Sequence, residues 1–152
     1  DIVVVSPDSG GANRARALAK RLNCSLAIGD KRRSGNEDKA DLLNIIGEVN
    51  NKTAILFDDI IDTGGSLIKV ANALVDKGVK KIYAACTHGV LSGNAVSDLE
   101  ASPIEKLFIT NTIPLSEEKK LCTKIEQLSI AEMLAIAIKK VHIEESISVL
   151  FR

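Results

Sequence analysis

The sequence predicts an α/β fold of three layers, a mostly parallel central sheet flanked by helices, on three observations. Short β-branched or apolar runs such as Ile2 to Val5 and Ala54 to Phe57 alternate with longer stretches of helical period. Gly, Ser, Pro and Asp cluster where each run gives way to the next helix, as at Ser6 to Gly11 and Asp62 to Ser66. Finally, 152 residues with 45% hydrophobic content suffice for one domain with a real core. The strand, loop and helix rhythm is that of a parallel sheet.

Taken in order, Ile2 to Val5 is a buried strand, and Ser6-Pro7-Asp8-Ser9-Gly10-Gly11 is a turn leading to a helix over about Asn13 to Leu22. Cys24 to Ile28 is the next strand. Gly29 to Lys39 then breaks all periodicity with charge and glycine, which predicts a long polar loop. Ile45-Ile46-Gly47-Glu48-Val49 is a short strand, and Asn50-Asn51-Lys52 turns into the central strand, Ala54 to Phe57. After the loop from Asp58 to Ser66, the residues Leu67, Val70, Ala71, Leu74 and Val75 share one helical face. Gly78 suits a left-handed cap beyond that helix. Lys81 to Cys86 is a strand, Thr87 to Gly93 a third loop, Asn94 to Leu99 a short helix, and Lys106 to Thr110 and Ile125 to Leu128 are strands. Ser129 caps a last helix running to about Val141.

Twenty basic and twenty acidic residues give a formal net charge of zero, against a nucleic-acid protein whose affinity rests on phosphate neutralisation. No run reaches membrane-spanning length, and no signal segment opens the chain. Cys24, Cys86 and Cys122 are odd in number and lie in apolar surroundings, as reduced thiols of a cytoplasmic protein do. Asp1 opens a buried strand without an initiator Met, so the expectation is one domain, residues 1–152, of a longer protein.

The chemistry converges on loops at the carboxyl ends of strands, where open parallel sheets bind ligands. A helix opening after Thr63-Gly64-Gly65-Ser66 offers free N–H groups and a positive dipole end to a phosphate. Asp58 and Asp59 suit sugar hydroxyls or a hydrated metal ion. Asp8 could hold Mg²⁺ while the Gly10 and Gly11 amides face a pyrophosphate, or be a plain turn residue. Lys31, Arg32 and Arg33 are either a solvated charge run or cations that meet a transferring phosphoryl group. Arg14 and Arg16 either reach phosphate or stay solvated. For His88 a structural role is favoured over a ligand-facing one, and His142 suits a helix carboxyl end.

Ile55-Leu56-Phe57-Asp58-Asp59-Ile60-Ile61-Asp62-Thr63-Gly64-Gly65-Ser66-Leu67 resembles the 5-phosphoribosyl-1-pyrophosphate (PRPP) motif of type I phosphoribosyltransferase folds. Together with Val5 to Gly11, Asp30 to Arg33, Ile45 to Val49 and Thr87 to Gly93, it is similar to the C-terminal domain of the ribose-phosphate pyrophosphokinase (PRPP synthetase) family. The resemblance covers nearly the whole chain, including Glu145 to Phe151. It implies transfer of the β,γ-diphosphoryl group of ATP to the 1-hydroxyl of ribose 5-phosphate, with Mg²⁺, giving PRPP and AMP. By position it implies that Asp62, Thr63, Gly64, Gly65 and Ser66 cradle the 5-phosphate and that Asp58 and Asp59 hold the ribose hydroxyls. Asp8, Gly10 and Gly11 would form the pyrophosphate loop, with Asp8 near Mg²⁺, and Lys31 and Arg33 would be the catalytic-loop cations. Ser146, Ser148 and Phe151 match an effector segment between subunits of a homo-oligomer, a hexamer of dimers. Ser66 stands where Thr is usual, and the family's N-terminal domain, which supplies much of the ATP site, is not in this sequence. Hence the chain alone is expected to bind ribose 5-phosphate and PRPP yet turn over little ATP. Two rival readings stay open: a phosphoribosyltransferase that couples PRPP to a nucleobase, and a non-catalytic regulator of a synthetase.

Overall fold

Valine and isoleucine at the first strand set the pattern of the whole molecule, because alternate side chains of a central strand must each find a core. In the computed structural model, which describes residues 1–32 and 42–151, β1 (Ile2–Ser6) sends Val3 and Val5 into one core and Val4 into another. The larger core packs α2 (Gly65–Asp76) through Leu67, Val70, Ala71 and Leu74. The smaller core packs Ala15 and Ala19 of α1 (Ala12–Arg21) on Val4, Leu26 and Phe57. A helix on each face makes the three layers expected from the sequence.

The sheet has seven strands, completed by β2 (Ser25–Arg32), β3 (Leu42–Ile46), β4 (Thr53–Ile61), β5 (Lys81–Gly89), β6 (Ile104–Thr110) and β7 (Ile125–Leu128). Their order is β3-β2-β1-β4-β5-β6-β7, and every neighbouring pair is parallel except β2 with β3. α3 (Ala95–Ala101) links β5 to β6, α4 (Glu117–Lys120) precedes β7, and α5 (Ala131–His142) follows it. A 3-10 turn covers Ser148–Phe151.

Several strands run longer than their apolar cores predict. β4 continues through Asp58 and Asp59 to Ile61, because pairing with β5 extends to Ile61 opposite Gly89 and holds the acidic pair extended. The pair therefore lies on the strand, not in the loop after it. β2 likewise runs on through Gly29 to Arg32, paired antiparallel with Leu42 to Ile46, so these four residues are strand and not loop, and the rest of the predicted loop, residues 33–39, lies outside the described residues. β3 also ends earlier than expected, at Ile46. Gly47, at φ +119°, turns the chain there, and an added Cβ would stand 2.9 Å from the Leu26 carbonyl oxygen and the Ala27 Cβ.

α2 ends as the sequence reading requires. The Gly78 N–H donates to Val75 O at 2.9 Å and Val79 N–H to Leu74 O at 3.1 Å, with Gly78 at φ +78°. That is the paired cap of a Schellman motif. Val75, placed on the buried face by periodicity, is instead half exposed at the edge of that face. α4 was not anticipated, although Ser116 before Glu117 and Glu118 is a capping sequence and its Oγ accepts from Lys119 N–H. No described helix is long and apolar enough to cross a membrane.

Candidate functional site

The sheet order passes outward from β1 in both directions, to β2 on one side and β4 on the other. The connections after β1 and β4 therefore enter helices on opposite faces and leave a crevice between them, the usual ligand position in such sheets. A pocket of about 200 Å³ lies there, lined by Asp8 from the first connection and by Asp58 and Ile60 to Leu67 from the second. The fold thus brings together Asp8, Asp58, Asp62, Thr63, Gly64, Gly65 and Ser66 from the sites read in the sequence.

The second connection is shaped for an anion. Gly64 takes φ +75° and ψ −4°, a left-handed conformation that costs other residues about 1–2 kcal/mol, and α2 starts at Gly65. Gly64 contributes no side-chain cap to the helix start. The first-turn amides of α2, orphaned by helix geometry, face the crevice with the positive end of the helix dipole.

The first connection closes on itself. Ser6 is fully buried and its Oγ donates to the Asp8 carbonyl at 2.7 Å, while the Gly11 N–H donates to Asp8 Oδ1 at 2.9 Å. A Cβ on Gly11 would stand 2.6 Å from Ser6 Oγ, so that position accepts only glycine without rearrangement. Gly10 and Gly11 adjoin the pocket through Asp8 and do not line it, and the Gly11 amide is already engaged.

Across the crevice mouth, Arg14 of α1 reaches the acidic pair: its Nη2 lies 3.2 Å from Asp58 Oδ1 and 3.1 Å from Asp59 Oδ1. Asp58 Oδ1 also accepts the Asp59 N–H at 2.9 Å. Burial pushes the Asp58 carboxyl above its ordinary 3.8, with the hydrogen bonds from Asp59 N–H and Arg14 working the other way. Against its own desolvation, Asp59 is drawn below 3.8 by its hydrogen bond with Asp58 and by the Arg14 charge. One carboxyl of the pair is thus easier to protonate, as expected of neighbouring acids sharing one cation. The sequence allows Arg14 either phosphate or solvent; in this structure it serves the carboxylates.

A third connection, after β5, buttresses the second. Val90 and Leu91 N–H groups both donate to Ile61 O, at 3.0 and 3.2 Å, and Ser92 N–H donates to Asp62 O at 3.0 Å. The Ser92 hydroxyl donates to Asp62 Oδ1 at 2.5 Å. Lys119 Nζ holds the same connection from behind through Val90 O at 3.0 Å. Of the loop expected over Thr87 to Gly93, Thr87 to Gly89 continue β5 and only Val90 to Gly93 leave the strand, and the bond to Asp62 spans 30 residues and leaves no local signal.

Lys31 lies on β2, where its backbone pairs with Leu43, and Arg33 lies outside the described residues. Phe151 sits at the far end of α1 from the crevice, its carbonyl accepting from Arg21 Nη2 at 3.0 Å, and Ser146 Oγ accepts from Ser148 N–H. His88 Nδ1 pairs with Thr112 Oγ1 at 2.9 Å, in keeping with the structural role favoured for it. Among the described residues no group of three or more His, Cys, Asp or Glu side chains could hold a metal ion alone.

The family described as the phosphoribosyl synthetase-associated domain matches residues 34–152. A ribose-phosphate pyrophosphokinase of Bacillus subtilis is 53% identical over 151 residues, 99% of this chain and 47% of that protein. One from Corynebacterium ammoniagenes is 51% identical over the same share of each. The chain spans about half the length of these relatives. Among solved structures, the phosphoribosylpyrophosphate synthetase of Mycobacterium smegmatis superposes with a TM-score of 0.86 at 39% identity, over 95% of this chain and 46% of that one. An orotate phosphoribosyltransferase from Aeropyrum pernix, at 20% identity and a TM-score of 0.57 over 88% of this chain and 64% of its own, shares the fold. With well over half of its residues matched by the family's own pattern, the chain belongs to the phosphoribosyl synthetase-associated domain family.

Proposed function

We propose that the chain is the ribose 5-phosphate half of a ribose-phosphate pyrophosphokinase, the C-terminal domain of a two-domain enzyme with a type I phosphoribosyltransferase-like fold. In the whole protein, the β,γ-diphosphoryl group of ATP passes to the 1-hydroxyl of ribose 5-phosphate, giving PRPP and AMP. The observation that carries this reading is the crevice between β1 and β4, where an amide-rich helix start and the carboxylates of Asp8, Asp58 and Asp62 line one pocket, with Asp59 beside Asp58 on the strand just outside the lining. A sugar phosphate has that polarity: an anion for the amides of Thr63 to Ser66 and hydroxyls for Asp58 and Asp59.

In this account Gly64 and Gly65 let the backbone approach the 5-phosphate, and Thr63 and Ser66 add hydroxyl donors. Asp58 and Asp59 accept from the ribose hydroxyls, which requires Arg14 to share or yield those carboxylates. Asp8 fits a Mg²⁺: its Oδ1 holds the Gly11 N–H, its Oδ2 is left over at the pocket wall, and one carboxylate is all that Mg²⁺ needs when phosphates and water complete its shell. When bound, the ion would neutralise charge on the transferring phosphates. Gly10 and Gly11 shape the pyrophosphate side, Gly11 by fixing Asp8 through its N–H and not as an open amide, and Lys31 and Arg33 meet the charge that builds on the transferring group. Ser146, Ser148 and Phe151, remote from the crevice, belong to a separate effector site.

Cytoplasmic placement and homo-oligomeric assembly, a hexamer of dimers, complete the proposal. Assembly is supported by α5, whose Met133, Leu134, Ile138 and Val141 are exposed and none of whose residues is buried. Calorimetric titration of the chain with ribose 5-phosphate, PRPP and free nucleobases, together with AMP detection from ATP, tests the reading. Binding of the two sugar phosphates with little AMP formed supports it. Nucleobase binding in the presence of PRPP would move the chain to the phosphoribosyltransferases. In the full-length protein, Lys31→Ala with Arg33→Ala should cut AMP formation by about 10²-fold or more while ribose 5-phosphate affinity holds; an unchanged rate would favour a regulatory subunit.

A further inference from the structure

The two connections that frame the crevice carry the same local pattern, Asp8-Ser9-Gly10-Gly11 after β1 and Asp62-Thr63-Gly64-Gly65 after β4. An aspartate at this position can cap its own loop, accepting an N–H two or three residues on. Asp8 does so: its Oδ1 takes the Gly11 N–H at 2.9 Å. Asp62 does not. Its Oδ1 takes the Ser92 hydroxyl instead, and the Ser92 N–H holds the Asp62 carbonyl at 3.0 Å. The amides ahead of Asp62 are the ones at the start of α2, and Gly64 offers them no side-chain cap.

We propose that Ser92 is a positioning residue that diverts the Asp62 carboxylate and so keeps the helix-start amides open for the phosphate. Without the Ser92 hydroxyl, Asp62 swings to cap Gly64 or Gly65 as Asp8 caps Gly11, and an incoming phosphate must displace a carboxylate that already holds its donors. The connection after β5 is built to hold Ser92 still, through Val90 and Leu91 on Ile61 O and Lys119 on Val90 O. This inference rests on the sugar-phosphate reading of the pocket and adds to it a residue from a different connection.

Calorimetric titration of the chain with ribose 5-phosphate tests it. Ser92→Ala should weaken binding about tenfold, the effect of one well-placed hydrogen bond to a charged group. In the Asp62→Ala background the same change should have no effect within twofold, since Ser92 acts only through Asp62. Ser92→Thr and Ser92→Val, equal in shape, repeat the comparison should the alanine variant fold poorly: the Thr variant should bind within twofold of native and the Val variant about tenfold worse. Native affinity in Ser92→Ala, equal affinity in the Thr and Val variants, or a tenfold loss that persists without Asp62 would each overturn the inference while leaving the pocket's assignment standing. Absence of ribose 5-phosphate binding by the native chain would overturn both.

Discussion

At the scale of single residues, the acidic pair and its arginine decide the electrostatics of the crevice. Arg14 holds both carboxylates within 3.2 Å, yet all three side chains meet solvent, so the arrangement contributes at most about 1 kcal/mol to folding. Its consequence is for titration. Followed by carboxyl-carbon NMR, Asp58 should titrate above 3.8 and Asp59 below it. Arg14→Ala removes a cation that favours both ionised forms, so both midpoints should rise; a fall in either would contradict the contact. Burial also pushes the Cys86 thiol up to about 12, so at pH 8 it stays protonated and inert, while partly exposed Cys24 should be the first thiol to react with iodoacetamide. Mass mapping of the adduct checks this. The acidic pair and the glycines were legible because their chemistry is local. The partners of that chemistry, Arg14 from α1 and Ser92 from beyond β5, were not, because only the fold brings them there.

Elements were legible where periodicity and caps agreed, as in α2, whose buried face and Gly78 cap both follow from the sequence. Gly78→Ala should cost roughly 1–2 kcal/mol in urea unfolding, because alanine is strained at φ +78° and its Cβ would run into Asn50 Oδ1. Leu74→Ala, inside the larger core, should cost about 2–5 kcal/mol. Strand ends were read less well, and for one reason. β2, β4 and β5 all outrun their apolar runs because pairing with a neighbour, which a single segment cannot display, keeps polar residues extended. Asp58 and Asp59 gain from this: on a strand they are held at fixed spacing beside a loop that must stay open.

For the whole molecule, the three-layer architecture followed from the alternation of runs, but the strand order did not, and the order is what makes the crevice. β1 between β2 and β4 sets Asp8 opposite the helix start of α2 at Gly65, although nearly sixty residues separate them in sequence. Nothing in the local pattern of either segment requires that meeting. A direct check of the account is an amide NMR titration of the chain with ribose 5-phosphate. The largest shifts are predicted at Thr63, Gly64, Gly65 and Ser66, with smaller ones at Asp58 and Asp59. Shifts centred on another part of the sheet, or none at saturating ligand, would contradict the claim that this crevice is a sugar-phosphate site.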